Sequence, residues 1–513
     1  MKGAIMYAKV YGATLDGMEG VIVTVEVDIS QGLPVFDIVG LPNQAVKESR
    51  ERVRAAIKNS HYEFPMRRIV VNLGPAEVRK SSSGLDLAIA IGILAASGQI
   101  KLRKKALQTL LQTSLFVGEL LLDGQTHKTR GILSMALAST EYGLHSIFTS
   151  EDNIGLLKPI KQLQTYGARD LERFVQILEH RDIYESIDGE TALVEDVYDI
   201  DYADVQGQDV GKRAMIISAC GFHHLMMVGP PGSGKTMLAE RLPTILPSMT
   251  WDEQLEVTRI YDVAGLLGES TFIRKRPFRS PHHTSTIISI VGGGTKVKPG
   301  EITLAHNGIL FLDEAPEFNS IVLDALRQPL ESHRISISRY QGTYEYPAKC
   351  ICIIAANPCP CGYHGDVHKA CVCTSTAIHK YKRRLSGPIL DRMDLFISME
   401  RPTLDDMLGI SGNCISSADM KEIVNQGRKA QEIRFKGLSF THNGLMPHQS
   451  IRELCNIQDA SWHLIGELFE QFQLTGRSFD RLLKVARTIA DIEDCPYVGN
   501  EHITEAMMYR YNF

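Results

Sequence analysis

The sequence predicts an α/β protein made of two α/β regions followed by a helical region. Residues 1–100 alternate between β-branched runs bounded by Gly or Pro and apolar positions at helical spacing. A second region of this kind runs from residue 205 to about 400 and contains several Gly-rich loops. After Pro402, apolar residues recur at helical spacing to near the end of the chain.

The elements of the first region follow from its apolar pattern. Strands are predicted at residues 21–29, 35–39, 67–73 and 115–122, and helices at residues 42–57 and 85–96. Residues 184–204 are acidic and have little periodicity, so they predict a linker with a domain boundary near Tyr202. Helices of the last region are predicted at 405–410, 420–435, 461–472, 479–492 and 501–510. The expected domains are therefore 1–183, 205–400 and 401–513, with 184–204 as the linker.

Composition narrows the class of protein. The 513 residues are 44% hydrophobic and 22% charged, as in globular proteins. A net charge of −5 gives no global sign of nucleic-acid binding, so any such contact must come from local basic patches. The first residues lack the pattern of a signal peptide, and no apolar run approaches the ~18 residues of a membrane span. We therefore expect a cytoplasmic protein without membrane contact.

A Gly-rich loop lies between a short apolar strand and a helix in the second region. The loop consists of Gly229, Pro230, Pro231, Gly232, Ser233, Gly234, Lys235 and Thr236. This is the Walker A spacing, in which glycines let backbone N–H groups turn around phosphates at a helix N-terminus. Lys235 is expected to reach the β- and γ-phosphates, and Thr236 to bind Mg²⁺. The sequence therefore predicts a site for ATP and Mg²⁺.

Two further strands of this region end in polar residues suited to nucleotide hydrolysis. The apolar run 309–312 is followed by Asp313, which can hold Mg²⁺ through water, and by Glu314, which can polarise the attacking water. The run 351–355 is followed by Asn357, whose amide can orient water beside the γ-phosphate. A simple turn is the alternative for this residue, since Asn-Pro favours turns.

Four of the ten cysteines form two close pairs. They are Cys359, Cys361, Cys371 and Cys373. Residues i and i+2 of an extended segment point to the same side, so two such pairs can present four sulfurs to one tetrahedral Zn²⁺. His364 or His368 could replace a cysteine, and four free thiols are the alternative. Four thiolates leave no open position on the metal, which favours a structural zinc over a catalytic one.

Several stretches outside the phosphate loop form a recognisable set. They are Gly40-Leu-Pro, Arg276-Pro-Phe-Arg-Ser-Pro-His-His283, Gly292-Gly-Gly, Pro299-Gly-Glu-Ile, Leu304-Ala-His-Asn-Gly-Ile-Leu-Phe-Leu-Asp-Glu314, Ala356-Asn-Pro-Cys-Pro-Cys-Gly362, Ser386-Gly-Pro-Ile-Leu-Asp-Arg-Met-Asp394 and Ala486-Arg-Thr-Ile-Ala-Asp491. Together they closely resemble, over nearly the whole chain, the ComM/YifB family of bacterial magnesium-chelatase-like AAA+ proteins. The resemblance implies a Lon-protease-like N-terminal domain, an AAA+ P-loop core with a parallel sheet, and a C-terminal helical lid.

The resemblance also implies a function. It indicates a homo-hexameric ring ATPase that acts on single-stranded and branched DNA. For ComM proteins it implies a helicase that drives branch migration when incoming single-stranded DNA is integrated during natural transformation. Recombination proteins are the further class of partner that this function suggests. Two other readings stay open: a magnesium-chelatase-type remodelling ATPase and an ATP-dependent protease. Translocation polarity, step size, preferred DNA structure and the recruiting partner are not defined by the residues.

The family pattern assigns roles to further residues. Lys235 and Thr236 match Walker A, Asp313 and Glu314 match Walker B, Asn357 matches sensor 1, Arg392 matches the arginine finger, and Arg477 matches sensor 2. Without the resemblance, a surface ion pair would be the first interpretation of either arginine. The resemblance also implies two hairpins that face the ring pore, at 289–300 and 333–346. Their candidate DNA-contacting residues are Lys296, Lys298, Arg334 and Arg339.

The N-terminal region resembles the Lon protease domain, whose catalytic pair is a Ser and a Lys. The run Lys80-Ser-Ser-Ser-Gly-Leu-Asp86 keeps serines near the expected place. The lysine would fall at Ser134 or a neighbour, and Lys128 comes too early. Because a serine without its base is a poor nucleophile, we expect a non-proteolytic scaffold that contacts DNA or orders the ring.

Overall fold

The computed structural model describes residues 6–40, 44–75, 83–180, 198–268, 272–294, 297–339, 342–366, 369–407 and 415–510. The chain forms two compact units. The first unit contains Met1–Val194 and Leu255–Ile273, and the second contains Glu195–Gln254 and Arg274–Phe513. Within the described residues, each helix is too short or too polar to cross a membrane.

The first unit contains nine strands and six helices of its own in its described part. The strands are β1 Tyr7–Asp16, β2 Glu19–Ser30, β3 Val35–Val39, β4 Arg68–Gly74, β5 Ser114–Val117, β6 Glu119–Leu120, β7 Thr126–His127, β8 Ser146–Ser150 and β9 Gln164–Ala168. The helices are α1 Gln44–Asn59, α2 Asp86–Ala96, α3 Lys104–Thr113, α4 Ile132–Glu141, α5 Glu151–Leu157 and α6 Leu171–Glu179.

Seven of these strands form one mixed sheet in the order β3-β4-β2-β1-β5-β8-β9. β1, β2 and β4 pair antiparallel, whereas β5, β8 and β9 pair in parallel. Phe116, Phe148 and Tyr166 stack across these three parallel strands with ring centroids 4.8 and 4.9 Å apart. Every residue of α2 is buried, as its uninterrupted apolar sequence predicts. The first unit therefore has its own hydrophobic core.

The second unit combines a sheet, two hairpins and a set of helices. Its strands are β10 Leu225–Val228, β11 Phe278–Arg279, β12 Gly292–Gly293, β13 Lys298–Pro299, β14 Ile309–Leu312, β15 Arg334–Arg339, β16 Gly342–Pro347, β17 Ile351–Ala356 and β18 Leu395–Ser398. Its helices are α7 Asp209–Gly221, α8 Lys235–Ile245, α10 Ile287–Val291, α11 Glu301–Leu304, α12 Ser320–Ala325, α13 Arg327–Ser332, α14 Ser375–Lys382, α15 Gly387–Leu390, α16 Leu404–Met407, α17 Ser417–Arg434, α18 His448–Leu454, α19 Ser461–Gln471, α20 Gly476–Ile492 and α21 Asn500–Met508. Helix α9, Trp251–Ala264, begins in this unit and continues in the first from Leu255.

The main sheet of the second unit is parallel, with the order β11-β14-β17-β10-β18. Its strands are short apolar runs, because both faces of the sheet are covered. The C-terminal helices α17 and α20 share one hydrophobic core with this sheet. A buried carboxylate, Asp491, joins these two helices: it pairs with Arg434 of α17 and, 2.9 Å away, with Arg487 of α20.

Residues 255–273 leave the second unit and pack with the first, although their sequence position lies inside the expected 205–400 domain. The carboxylate of Asp262 accepts hydrogen bonds from the N–H groups of Gly131 and Leu133, at 3.0 and 2.9 Å. Arg259 donates to Ser134 Oγ at 2.8 Å and to the carbonyl of Met18 at 2.8 Å. These buried polar contacts attach the C-terminal part of α9 to the first turn of α4.

The predicted elements lie close to their predicted positions, whereas several others, among them β1, β8, β9 and α3–α7, were not predicted. The predicted strand 115–122 is interrupted at Gly118, where β5 ends and the separate strand β6 follows. Helix α18 was not predicted. Tyr202, expected in a linker, is fully buried in the second unit and its hydroxyl donates to the carbonyl of Leu238 at 2.8 Å. Because the residues around Tyr202 are acidic, the sequence did not indicate that its side chain is buried. Residues 184–197 of the expected linker lie outside the described residues.

Candidate nucleotide site and cysteine cluster

The Gly-rich loop connects β10, the strand between β17 and β18, to the N-terminus of α8. Gly232 and Gly234 have φ values of +80° and +85°, which side chains other than glycine rarely adopt. Gly229 is needed for space, since a Cβ there would lie 2.5 Å from the carbonyl oxygen of Met399. Left-handed glycines of this kind allow the N–H groups of such a loop to turn inward around a phosphate at a helix N-terminus.

Lys235 is buried and its ammonium group lies within the loop. Nζ donates to the carbonyls of Gly229 and Pro230 at 2.7 and 2.9 Å, and to Ser233 Oγ at 3.3 Å. It also approaches Oδ1 of Asn357 at 3.4 Å. Burial lowers the pKa of Lys235, while the charges of Asp313 and Glu314 oppose this effect. A polyphosphate would supply the anionic partner that this partly desolvated cation favours.

The Walker B residues follow β14. Thr236 Oγ1 donates to Asp313 Oδ2 at 3.0 Å. This hydrogen bond sets the carboxylate of Asp313 beside the expected Mg²⁺ ligand Thr236, where it can hold the ion through water. Glu314 is exposed and adopts a left-handed backbone conformation, with φ +48°, and its N–H donates to Asp313 Oδ1 at 2.9 Å. The carboxylate that would polarise water is thus directed by an unusual backbone geometry.

Arg392 and Arg477 meet at a different place, around the carboxylate of Glu331. Arg392 contacts Glu331 and donates to the carbonyls of Arg327 and Pro388 at 2.8 and 2.6 Å. Arg477 lies 3.6 Å from the same carboxylate. Both arginines line a cavity of about 440 Å³ to which none of the Walker residues contributes. No sequence pattern pointed to Glu331, because a single acidic residue at a helix end is ordinary.

The two segments expected to form pore hairpins are antiparallel hairpins in the structure, β12–β13 and β15–β16. The hairpins lie side by side: a Cβ on Gly293 would be 3.4 Å from Nη2 of Arg339, and Tyr346 Oη donates to the carbonyl of Val297 at 3.4 Å. Lys298, Arg334 and Arg339 are exposed. Lys296 lies outside the described residues.

The four clustered cysteines bring their sulfur atoms together. All four Sγ atoms lie within 4.8 Å of one another, and Cys359, Cys361 and Cys371 are 3.4–3.6 Å apart. Tetrahedral zinc with Zn–S bonds of about 2.3 Å needs sulfurs about 3.8 Å apart, so the donor set fits. Backbone N–H groups of Val372 and Tyr363 lower the pKa of Cys361 to about 6, whereas burial and hydrogen bonds with Cys361 and Cys359 raise the pKa of Cys371 to about 12. Without a metal, only the first of these two thiols favours the thiolate.

The histidines considered as alternative ligands do not join this cluster in the described structure. His364 is exposed and is not among the grouped ligands, and His368 lies outside the described residues. In the first unit, the Ser81 and Ser82 positions considered for a Lon-type nucleophile also lie outside the described residues. Ser134, at the position expected for the catalytic lysine, is buried and accepts a hydrogen bond from Arg259.

Comparison with known proteins agrees with this architecture. Residues 201–407 match the family described as magnesium chelatase, subunit ChlI, residues 25–153 match subunit ChlI of Mg-chelatase, and residues 415–510 match the magnesium chelatase, subunit ChlI C-terminal family. The chain is 40% identical over 502 residues to the uncharacterized protein YifB of Escherichia coli strain K12, which covers 96% of this chain and 95% of YifB.

Two further relatives cover different lengths of the chain. The competence protein ComM of Haemophilus influenzae is 38% identical over 512 residues, 98% of this chain and 97% of ComM. Lon protease 2 of Bacillus subtilis is 27% identical over 153 residues, 28% of this chain and 27% of that protease.

The phosphate loop emerges at the carboxyl end of a central parallel strand, with Asp313 and Asn357 at the same ends of neighbouring strands. This fold and site define an AAA+ P-loop module. The near-full-length matches identify it further: the chain belongs to the ComM/YifB family of magnesium-chelatase-like AAA+ proteins. The resemblance and the fold class predicted from the sequence are thereby confirmed.

Proposed function

We propose that this protein is a hexameric DNA motor that hydrolyses ATP with Mg²⁺ and drives branch migration. In this function it promotes integration of single-stranded DNA by homologous recombination during natural transformation. The observation that carries the proposal is the match to the competence protein ComM over 98% of the chain. That match includes both units, so it concerns the whole architecture and not the P-loop module alone.

The geometry of the nucleotide site supports hydrolysis. Lys235 would hold the β- and γ-phosphates, and Thr236 with Asp313 would hold Mg²⁺, which neutralises phosphate charge when bound. The exposed carboxylate of Glu314 would polarise the attacking water, and the amide of Asn357 would orient it. Each of these groups is already at the carboxyl edge of the sheet in the described structure.

The paired hairpins support contact with DNA. The exposed surface of the two hairpins carries Lys298, Arg334 and Arg339, although the whole chain carries a net charge of −5. Local cations of this kind bind phosphates without reading sequence, as a translocating motor requires. We place this surface at the pore of the ring.

The location of the two arginines supports a ring. Arg392 and Arg477 gather at Glu331, in a cavity that the Walker residues of the same chain do not line. An arginine placed away from its own nucleotide can serve a neighbouring one only in a head-to-tail assembly. We propose that this assembly closes as a homo-hexamer, with Arg392 as the finger and Arg477 as the second sensor.

A magnesium-chelatase-type remodelling ATPase is the second candidate. The family descriptions that match residues 201–407 and 415–510 favour it. Residues 25–153 also match subunit ChlI of Mg-chelatase, but the near-full-length match to the competence protein ComM favours the DNA motor. A protease is disfavoured, because Ser134 stands where its lysine was sought and its hydroxyl is bonded to Arg259.

The deciding experiment measures ATP turnover with no DNA, single-stranded DNA, duplex DNA and a branched junction. We expect single-stranded and branched DNA to raise turnover, and a labelled junction to be migrated in an ATP-dependent way. Glu314→Gln should retain ATP binding but lose most turnover, since the Mg²⁺ ligands Thr236 and Asp313 remain. ATP turnover that no DNA changes, with no junction migration, would contradict the DNA motor and favour the remodelling ATPase.

A further inference from the structure

We infer that the cysteine loop, residues 359–366 and 369–373, braces the Walker A loop, so that nucleotide affinity depends on the metal held by its cysteines. The inference rests on the proposed zinc site and goes beyond it. It makes the metal cluster a positioning element of the ATP site, rather than a separate fold-stabilising module. Three sets of contacts in the second unit lead to this conclusion.

The first contact joins the cysteine loop directly to the Walker A loop. Gly362 is buried and has φ +84°, and a Cβ placed on it would lie 2.6 and 2.8 Å from Cδ and Cγ of Pro231. Pro231 is part of the phosphate loop. The backbone of Gly362 therefore packs against the pyrrolidine ring, at a distance that leaves no room for a side chain.

The second set of contacts lies at the start of the cysteine loop. The N–H of Gly229 donates to the carbonyl of Ala356 at 3.2 Å, and Asn357 Oδ1 is 3.4 Å from Lys235 Nζ. Cys359 follows two residues later and is fully buried. One short stretch thus connects a metal ligand to both the backbone and the lysine of the phosphate loop.

The third set of contacts holds the other side of the loop. Arg401, just after β18, lies 5.2 Å from the ring centroid of Tyr363 and 3.3 Å from the carboxylate of Asp366. At the end of β18, the N–H of Met399 donates to the carbonyl of Val228 at 2.7 Å, directly before the phosphate loop.

The sheet order explains why these contacts form a brace. β10, which leads into the phosphate loop, lies between β17 and β18. The cysteine loop starts at the end of β17 and is attached by Arg401 beyond the end of β18, so it crosses the phosphate loop from one neighbouring strand to the other. The two attachments hold the cysteine loop on either side of the phosphate loop, and the Gly362–Pro231 contact lies between them.

The metal is what would keep this crossing segment in place. The described part of the cysteine loop contains no helix or strand, and Val372, between two of the cysteines, is 84% exposed. Burial of apolar side chains therefore contributes little to its order. Closing the loop through four sulfur–metal bonds restricts its conformations, because metal binding at such sites is coupled to local folding. Without the metal, Gly362 and Asn357 lose their fixed positions beside Pro231 and Lys235.

The first test removes the metal from the full chain. Protein purified without added metal should contain about one zinc per chain by elemental analysis. After treatment with a chelator and a thiol-capping mercurial, affinity for a fluorescent ATP analogue should fall at least about tenfold. Reversal of the capping and return of Zn²⁺ should restore it. A stripped chain that stays folded by circular dichroism and binds the analogue as before would overturn the inference.

The second test leaves the cysteines intact and compares two glycines of the same loop. Gly362→Ala and Gly365→Ala place the same side chain at similar φ values, +84° and +82°, but a Cβ on Gly365 meets no atom within 4 Å. Both variants should keep their zinc. Gly362→Ala should weaken binding of the ATP analogue about tenfold, and Gly365→Ala by less than about twofold.

These outcomes distinguish a failure of the inference from a failure of the proposed zinc site or of the proposed DNA motor. Equal affinities of the two glycine variants, with zinc retained, would show that the contact with Pro231 does not position the phosphate loop, and would overturn the inference. Zinc content near zero in the untreated protein would remove both the metal site and the inference. The DNA-stimulated ATPase assay would stand in either case, because it is run on untreated protein and compares turnover with and without DNA.

Discussion

The carboxylate of Glu331 contacts both Arg392 and Arg477, two residues assigned to act on a nucleotide. Arg392 also gives hydrogen bonds to two carbonyls of its own chain, whereas 64% of the Arg477 side chain is exposed. Both guanidinium charges are thus partly balanced within the subunit. Engagement of a neighbouring γ-phosphate would exchange Glu331 for a phosphate oxygen, so this glutamate sets how readily the arginines leave.

His333, two residues after Glu331, provides a test at the same scale. Burial lowers its pKa to about 4, and the charges of His224, Lys349 and Lys484 act in the same direction. The unfolded chain binds a proton near pH 6.5, whereas the folded chain does not until about pH 4. The stabilising contribution of neutral His333 is therefore complete above pH 6.5 and is lost as the pH falls toward 4.

We expect His333→Asn to reduce the acid sensitivity of folding. Asparagine tolerates the left-handed backbone of this position, φ +55°, and cannot be protonated. Between pH 7 and pH 5 the wild type should lose about 1–2 kcal/mol more unfolding free energy than the variant. Denaturant unfolding at several pH values measures this difference. Parallel pH profiles for the two proteins would show that His333 already carries a proton in the folded state.

At the scale of elements, the sequence predicted the helices, strands and loops that depend on residues close together in the chain. The phosphate loop, the strands that end at Asp313 and Asn357, and helices α17, α19, α20 and α21 follow from spacing and apolar periodicity. The burial of Tyr202 depends on Leu238 and Ser417, which are distant in sequence, so no local signal could reveal it. The contact of Gly362 with Pro231 escaped prediction for the same reason: it arises from the order of β17, β10 and β18.

The paired hairpins give the prediction for this scale. Arg334→Ala and Arg339→Ala should each reduce the salt dependence of single-stranded DNA binding, lowering the slope of log affinity against log salt by about 1. Fluorescence anisotropy across a salt series measures the slopes. Lys436→Ala, which removes an exposed charge after α17, is the control and should leave the slope unchanged. Equal slopes for all proteins would place the DNA elsewhere.

At the scale of the whole molecule, each unit has its own hydrophobic core. Within the second unit, the Walker residues and the arginine pair occupy separate sites. In the proposed ring, a subunit with these groups divided in this way would be complete only beside a second copy. Sequence motifs identified both groups, but their separation is a property of the folded chain.

Mixing two inactive variants tests this assembly. Arg392→Ala should bind ATP normally yet hydrolyse it slowly, since trans arginines contribute about 10³–10⁵ in rate in other P-loop enzymes. Lys235→Ala should lose productive phosphate contact. Mixed rings should recover part of the ATPase activity, because Arg392 of a Lys235→Ala subunit can serve the intact Walker site of its neighbour. Absence of recovery at every ratio, with mixed rings demonstrated by mass, would show that Arg392 does not act across the interface.

The segment 255–273, which packs in the first unit, has a consequence for synthesis on the ribosome. The N–H groups of Gly131 and Leu133 cannot hydrogen-bond to Asp262, nor Ser134 to Arg259, until the ribosome has already translated the phosphate loop and α8. The N-terminal unit therefore cannot complete its fold as an independent nascent domain. A chain that stops at residue 194 lacks these partners, and its α4 begins with unpaired amides. A chain engineered to contain only the first unit must therefore also include α9.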